Sequence, residues 1–259
     1  APDARLLVLT SNRHGPEEVS DVLQQLGYGS SEVTVLSDLG SNGENILKYG
    51  ENGDISDLYT LAIHCKLDAD AALLPRSIGL PDTAFESDGT MTKRDIRAVT
   101  LSKLMPMPGA LLWDIGAGCG SIGIEWMRAA SNARAVAIEP REDRRAFAAA
   151  NAQSLGTPGL EIVEGTAPDA LADLERPDAV FIGGGLSEET FAKCFSALKI
   201  HGRLVANAVT LKSETWLIKL HATHGGDLTR LSVHQADSIG SMTGWRPQMP
   251  VTQLSLVKS

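Results

Sequence analysis

From residue 92 onward, short apolar runs alternate with amphipathic stretches so regularly that few folds can accept the chain. The runs at 110–115, 135–138, 160–163, 179–182 and 203–208 read as strands, and residues 93–104, 121–130, 142–155, 168–174, 187–198 and 212–223 carry helical spacing. Strict strand–helix alternation predicts a doubly wound α/β fold with a mostly parallel sheet. Two last runs, 228–234 and 252–257, arrive without a helix between them, which predicts a terminal antiparallel hairpin. The first third is different. A strand at 5–10 precedes a helix with Val19, Val22, Leu23 and Leu26 on one face and Gly27 as its stop, and further strands follow at 33–36 and 59–65. That is a partial α/β domain, βαβ…β, over 1–75, without a glycine-rich phosphate loop. Residues 76–90, with Gly79, Pro81, Asp82, Asp88 and Gly89, read as a linker to a domain at 91–259.

Charge separates the same regions. The formal net charge is -9, and residues 1–90 hold 5 Lys/Arg against 15 Asp/Glu while residues 91–259 hold 18 against 17. A net acidic chain argues against general nucleic-acid binding, whereas the nearly neutral second region can host an anionic ligand. No apolar run approaches the ~20 residues of a membrane-spanning helix. The first residues lack the basic and apolar parts of a secretory signal, and Ala1 stands where an initiator Met is expected, as in a processed or truncated chain. Cys65, Cys119 and Cys194 are too sparse for a disulfide framework or a metal knuckle, so a cytoplasmic protein without a metal site is expected.

The chemistry concentrates in Asp114-Ile115-Gly116-Ala117-Gly118-Cys119-Gly120, between an apolar strand and a helix. Glycines let the backbone turn tightly and let a ligand approach without a Cβ in the way, and the helix that follows aims free N–H groups at a carboxylate or phosphate. Glu139 ends the next strand nineteen residues after Gly120, where a carboxylate accepts both hydroxyls of a nucleotide ribose. Residues 118–123 also fit G-x-G-x-x-G, which alone is a weak dinucleotide signature. A nicotinamide oxidoreductase and a glycine turn without a ligand therefore stand as alternatives. Asp114 separates them: an acid two residues before the first glycine repels a pyrophosphate and suits the amino group of S-adenosylmethionine. With the terminal hairpin, these features point to the sheet of the class I S-adenosylmethionine-dependent methyltransferases.

At this point residues 91–259 resemble the decarboxylating precorrin methyltransferases of cobalamin biosynthesis. The resemblance is carried by Met91-Thr92-Lys93-Arg94-Asp95-Ile96-Arg97, by residues 113–122, by Glu164-Gly165-Thr166-Ala167-Pro168-Asp169-Ala170-Leu171, and by residues 181–185, 207–211 and 244–247. It implies methylation of a precorrin at C-15 with decarboxylation of the C-12 acetate, S-adenosylmethionine as cofactor, and a homo-oligomer, since relatives assemble as tetramers. Residues 1–75 resemble the second half of a tetrapyrrole methylase of the other structural class, the module that methylates C-5, without its first half and cofactor loop. That part is expected to be catalytically silent. By the resemblance, Thr92, Gly116, Ala117, Gly118, Cys119, Gly120, Glu139 and Ala167 contact the cofactor. Thr166 stands where many class I enzymes place an Asp that reads the adenine amino group, and Thr92 is also placed to cap the helix that follows it.

A tetrapyrrole rich in acetate and propionate groups requires Arg and Lys partners. The candidates are Lys93, Arg94, Arg97, Lys212 and Arg246, each competing with a reading as a solvated surface cation. Residues 93 and 97 share a helix face and 94 sits about 100° round. Arg246, between Trp245 and Pro247 in an expected loop, is the strongest. Gly183 and Gly184, at the carboxyl edge after a strand, would floor the substrate. Decarboxylation needs a proton donor, for which His201, His221, His224 and His234 qualify by chemistry only, so no catalytic acid is assigned. A class I methyltransferase of another small anionic substrate and a non-catalytic interaction module stay open beside the precorrin reading.

Overall fold

The apolar runs that alternate with helical stretches become the buried centre of one sheet. The computed structural model describes residues 1–259, which divide into two units, Ala1–Pro75 and Arg76–Ser259. The first unit contains β1 (Arg5–Val8), α1 (Gly15–Gln25), β2 (Glu32–Ser37), β3 (Asn45–Lys48) and β4 (Tyr59–His64). Its sheet order is β1-β4-β2-β3 with every neighbouring pair antiparallel. β1 and β2 therefore run parallel with β4 between them, so the expected βαβ crossover exists in split form. β3 was not foreseen, because its four residues are too few to show a period. Alternate residues Val33 and Val35 of β2 and Tyr59, Leu61 and Ile63 of β4 form the small core with Cys65. Val19 and Leu23 of α1 pack on it, while Val22 and Leu26 are half-exposed.

The second unit runs α2 (Arg94–Leu104), β5 (Leu111–Ile115), α3 (Ser121–Ala129), β6 (Arg134–Ile138), α4 (Glu142–Ser154), β7 (Glu161–Val163), β8 (Ala179–Ile182), α5 (Glu188–Ala197), β9 (Arg203–Ala208), α6 (Leu211–His224), β10 (Asp227–Leu231), β11 (His234–Ile239), β12 (Met242–Pro247) and β13 (Val251–Val257). Its seven-stranded sheet has the order β10-β13-β9-β8-β5-β6-β7. The strands from β9 to β7 are parallel, and β13 is antiparallel to both β9 and β10. This is the class I sheet expected from the alternation. Every residue of β5 and β8 is buried, because helices cover both faces of the sheet.

Two expectations change. The last strand pair is not a simple hairpin: β11 and β12 form a separate two-stranded ribbon between β10 and β13, so His234 opens that ribbon rather than closing a strand. The helix expected at 168–174 shortens to a single 3-10 turn, Asp169–Leu171.

Residues 76–90, expected to be a linker, belong to the second unit and pack there. Leu80 and Phe85 are buried, and a knot of buried charge holds the backbone around them. Glu125 accepts from the N–H groups of Gly79 (2.6 Å) and Leu80 (3.1 Å) and from Arg97 Nε (2.6 Å). The Arg97 guanidinium, 0% exposed, also donates to the carbonyls of Leu80 (2.5 Å) and Thr92 (2.6 Å) and to Asp82 (3.1 Å), and it lies over the Phe85 ring. Asn151 exchanges hydrogen bonds with the Glu86 backbone, accepting from its N–H (2.8 Å) and donating to its carbonyl (2.9 Å). Asp88 accepts from Arg144 at 2.8 Å. Residues 79–92 thus form a strap pinned at three places.

Candidate active site

A cavity of 720 Å³ opens at the carboxyl edge of the sheet. It is lined by the loops after β5, β6 and β8, by strap residues Gly89 to Thr92 with Lys93 at the start of α2, and by Gln248 and Met249 before β13. The glycine loop shapes one half of it. Gly116, Gly118 and Gly120 have φ of +70°, +58° and +78°, a region that side-chain-bearing residues rarely adopt. A Cβ on Gly116 would stand 2.8 Å from the Gly184 nitrogen, so the loops after β5 and β8 touch backbone to backbone. Gly120 serves packing instead: it faces Ala148 of α4 and, with Cys119, is absent from the cavity wall. Cys119 is buried, which pushes its thiol above the usual range, and its carbonyl accepts from Asn151 at 3.0 Å. α3 begins without a side-chain cap, and Ser121 and Ile122 of its first turn line the cavity. First-turn N–H groups have no intrahelical partner and suit an anionic group.

Glu139 is buried at the end of β6 and lines the same half. Its Oε2 accepts from the Gly118 N–H at 2.9 Å and its Oε1 from the Arg141 N–H at 3.1 Å. Each carboxylate oxygen has two lone pairs, so both retain capacity for a hydroxyl in the cavity. Ala117, Thr166 and Ala167 complete this wall, and Thr92 faces it from the strap. Thr92 is not the helix cap; Lys93 occupies that position, without a side-chain hydrogen bond. A glycine cradle, a carboxylate aimed into it and the N–H groups of Ser121 and Ile122 at the helix start fit the ribose and carboxylate of S-adenosylmethionine.

Asp114 departs from its expected role. It lies beneath the loop rather than on the cavity wall, and its Oδ2 accepts from the Gly123 N–H at 3.0 Å while Oδ1 is buried without a partner. Burial, with repulsion from Glu139, pushes its pKa up to about 7, against the opposing effect of the Gly123 bond. It braces the first turn of α3 from below.

Gly183 and Gly184 line the cavity as expected, and so does Lys93, whose ammonium donates to the Gly89 carbonyl at 3.3 Å. Arg94, Lys212 and Arg246 do not. Arg94 is exposed on the outer side of α2, and Lys212 is exposed at the start of α6. Arg246 stands on the ribbon, not in a loop, in an exposed ion pair with Asp237 at 3.0 Å. Arg97 is committed to Glu125 and the strap. His201, His221, His224 and His234 are likewise absent from the cavity wall: His221 bonds the Gly225 carbonyl near the end of α6, and His224 packs against Phe191 and Phe195. Sequence reasoning missed Phe181, Asn207, Gln248, Met249, Arg141 and Arg144, all on the wall. Asn207 was within reach, since it stands next to the last residue of a strand, at the edge where such sheets bind ligands.

The comparisons agree with this geometry. Residues 83–258 match the precorrin methyltransferase domain family. Over 99% of its length the chain is 48% identical to a precorrin-6Y C(5,15)-methyltransferase (decarboxylating) of Sinorhizobium sp, of which it covers 63%. It is 36% identical over 52% of its length to a probable cobalt-precorrin-6B C(15)-methyltransferase (decarboxylating) of Pyrobaculum calidifontis, covering 72% of that protein. The crystal structure of the C-terminal domain of precorrin-6Y C5,15-methyltransferase from Rhodobacter capsulatus is 47% identical and superposes with a TM-score of 0.68, covering 71% of this chain and 100% of that one. The chain thus spans somewhat under two thirds of the Sinorhizobium relative and all of the Rhodobacter domain. On its sequence, its sheet order and the cavity at the carboxyl edge of that sheet, this chain belongs to the precorrin methyltransferase family.

Proposed function

We propose that residues 76–259 transfer a methyl group from S-adenosylmethionine to C-15 of a precorrin and release the C-12 acetate carboxylate as carbon dioxide, in cobalamin biosynthesis. The carrying observation is the cavity itself: one space of 720 Å³ is lined both by the glycine loop with Glu139 and by the apolar side chains of Phe181, Val209, Met249 and Val251. Bound there, the cofactor supplies an electrophilic methyl group. Glu139 takes the ribose hydroxyls, the start of α3 and Thr92 take the methionine carboxylate, and Ala167 offers its backbone to the adenine beside Thr166. Lys93 receives a substrate carboxylate, and Gly183 and Gly184 let the ring plane lie close to the sheet edge. Methyl transfer to an electron-rich carbon then depends on alignment, which supplies up to ~7–11 kcal/mol.

The three cysteines are unpaired, in keeping with a cytoplasmic enzyme, and no helix is long and apolar enough to cross a membrane. The ribbon exposes Ile239, Met242 and Trp245, which supports the homo-oligomer that the sequence resemblance implies. Residues 1–75 are proposed to be the catalytically silent second half of a C-5 methylase module, followed by the methyltransferase domain.

The test is incubation with S-adenosylmethionine and a precorrin already methylated at C-5, followed by mass spectrometry. Gain of one methyl with loss of carbon dioxide is expected. An unchanged substrate in the presence of bound cofactor would overturn the substrate assignment.

A further inference from the structure

Beyond the glycine loop the cavity is lined by Met91, Ile96, Phe181, Val209, Met249 and Val251, with Lys93, Gln248 and Asn207 as the polar side chains among them. Ala206 pairs with Ile182, so Asn207 stands level with Gly183 at the carboxyl edge. β9 lies two strands from β5, which puts Asn207 roughly 10 Å from the strand carrying the glycine loop. Its amide is held from behind by a buried network. Asn207 Nδ2 donates to Thr100 Oγ1 at 3.2 Å, and Gln253 Nε2 donates to Asn207 Oδ1 at 2.8 Å and to Thr100 Oγ1 at 3.0 Å. Thr100 Oγ1 in turn donates to the Ile96 carbonyl at 2.8 Å. Thr100 and Gln253 are both 0% exposed, and Gln253 Oε1 is buried without a partner. Such an orphaned oxygen carries a desolvation penalty; here it accompanies an arrangement in which both Gln253 N–H groups are directed at Asn207 and Thr100. Asn207 Nδ2 has two hydrogens, and one goes to Thr100, which leaves the other available as a neutral donor on a residue that lines the cavity.

We propose that Asn207, oriented by Thr100 and Gln253, receives the carboxylate that the substrate loses and so selects which acetate is decarboxylated. The assignment rests on the reaction proposed above. In that step the bond between the acetate methylene and its carboxyl carbon breaks, the electron pair passes into the conjugated ring system and carbon dioxide leaves; the pair then returns to the methylene carbon as that carbon takes a proton from water, giving a methyl group and hydroxide. Negative charge leaves the carboxylate as this happens. A Lys or Arg at that spot would stabilise the ground-state carboxylate more than the transition state and slow the loss; a neutral amide orients the group without that cost. Carboxylates that are retained have Lys93 as a cationic partner.

The test uses the 259-residue chain and its Asn207→Ala, Asn207→Asp and Gln253→Met variants. Binding of S-adenosylhomocysteine is measured by calorimetry, and methyl gain and carbon dioxide loss are followed in single turnovers by mass spectrometry. Expected results are cofactor-product affinity within twofold of wild type for all three, methylated product that keeps its C-12 acetate, and carbon dioxide loss slowed ~10–100-fold in Asn207→Ala. Asn207→Asp is expected to be slower still, because like charges repel, and Gln253→Met to slow the same step less. Three outcomes would overturn the proposal: carbon dioxide loss at the wild-type rate in both Asn207 variants, methylation and decarboxylation falling by the same factor, or the near-isosteric Asp variant being milder than Ala, which marks a role in shape alone. A wild-type chain that binds S-adenosylhomocysteine yet leaves the precorrin untouched would overturn the reaction itself, and this assignment with it.

Discussion

Single residues decide how the glycine loop holds its shape. At Gly116 a methyl group meets two obstacles, the left-handed backbone and the Gly184 nitrogen 2.8 Å away. Gly116→Ala is expected to lose on the order of 1–2 kcal/mol from the backbone alone, and more from the contact, with cofactor binding falling below detection in calorimetry. Asp114 makes a pH-dependent contribution. Folded, it keeps its proton up to about pH 7, whereas its ordinary value is 3.8. The unfolded chain therefore releases this proton first, and stability from this group declines as pH rises from about 4 to about 7, then levels off. In the apo protein, the Tm of Asp114→Asn minus that of wild type should grow over that window and then stay constant; a flat difference would mean that Asp114 is ionised throughout. The loop was legible in the sequence because its left-handed backbone demands glycine, and Glu139 because a carboxylate straight after a strand stands at the sheet's carboxyl edge, where it lines the cavity. Arg94, Lys212 and Arg246 were not, since charge states what a side chain can bind but not which way its element turns it.

At the scale of elements, the strap over 79–92 matters most to the site. Its Pro- and Gly-rich stretch reads like a linker, because the same turn chemistry serves a free connection and a packed one. What distinguishes it is Leu80, Phe85 and the pairing of Arg97 with Glu125, and that pairing spans 28 positions in sequence and leaves no local pattern. Asn151→Ala removes three hydrogen bonds, to both backbone groups of Glu86 and to the Cys119 carbonyl. The expected loss is ~1–3 kcal/mol, read as faster amide hydrogen exchange at residues 83–92 and weaker S-adenosylhomocysteine binding; unchanged exchange there would show that the strap is held elsewhere. The parallel strands were legible because each is a buried apolar run. The ribbon was not: all of β11 is exposed and only Gly244 of β12 is partly covered, so neither has a buried face to impose a period of two.

At the scale of the molecule, the two units differ in what they can bury. The first has six buried apolar residues and leaves Leu7, Leu9 and Leu58 largely exposed, too little core for ~75 residues to be stable alone. Residues 76–259 contain the whole cavity. Expressed without residues 1–75, they are expected to unfold cooperatively and bind S-adenosylhomocysteine with the affinity of the longer chain, by calorimetry. Residues 1–75 alone are expected to lack a cooperative transition. A second unit that loses binding on its own would refute this division of labour. The position of β13 carries a further consequence, for synthesis. Residues 251–257 do not extend an edge but enter between β9 and β10, almost wholly buried. While the nascent chain emerges, β9 and β10 each present an unpaired edge that can join another molecule. A ribosome that stops before residue 251 therefore leaves a sticky, five-stranded intermediate rather than a shortened domain, and the folding of this unit waits on a strand made after both of its neighbours.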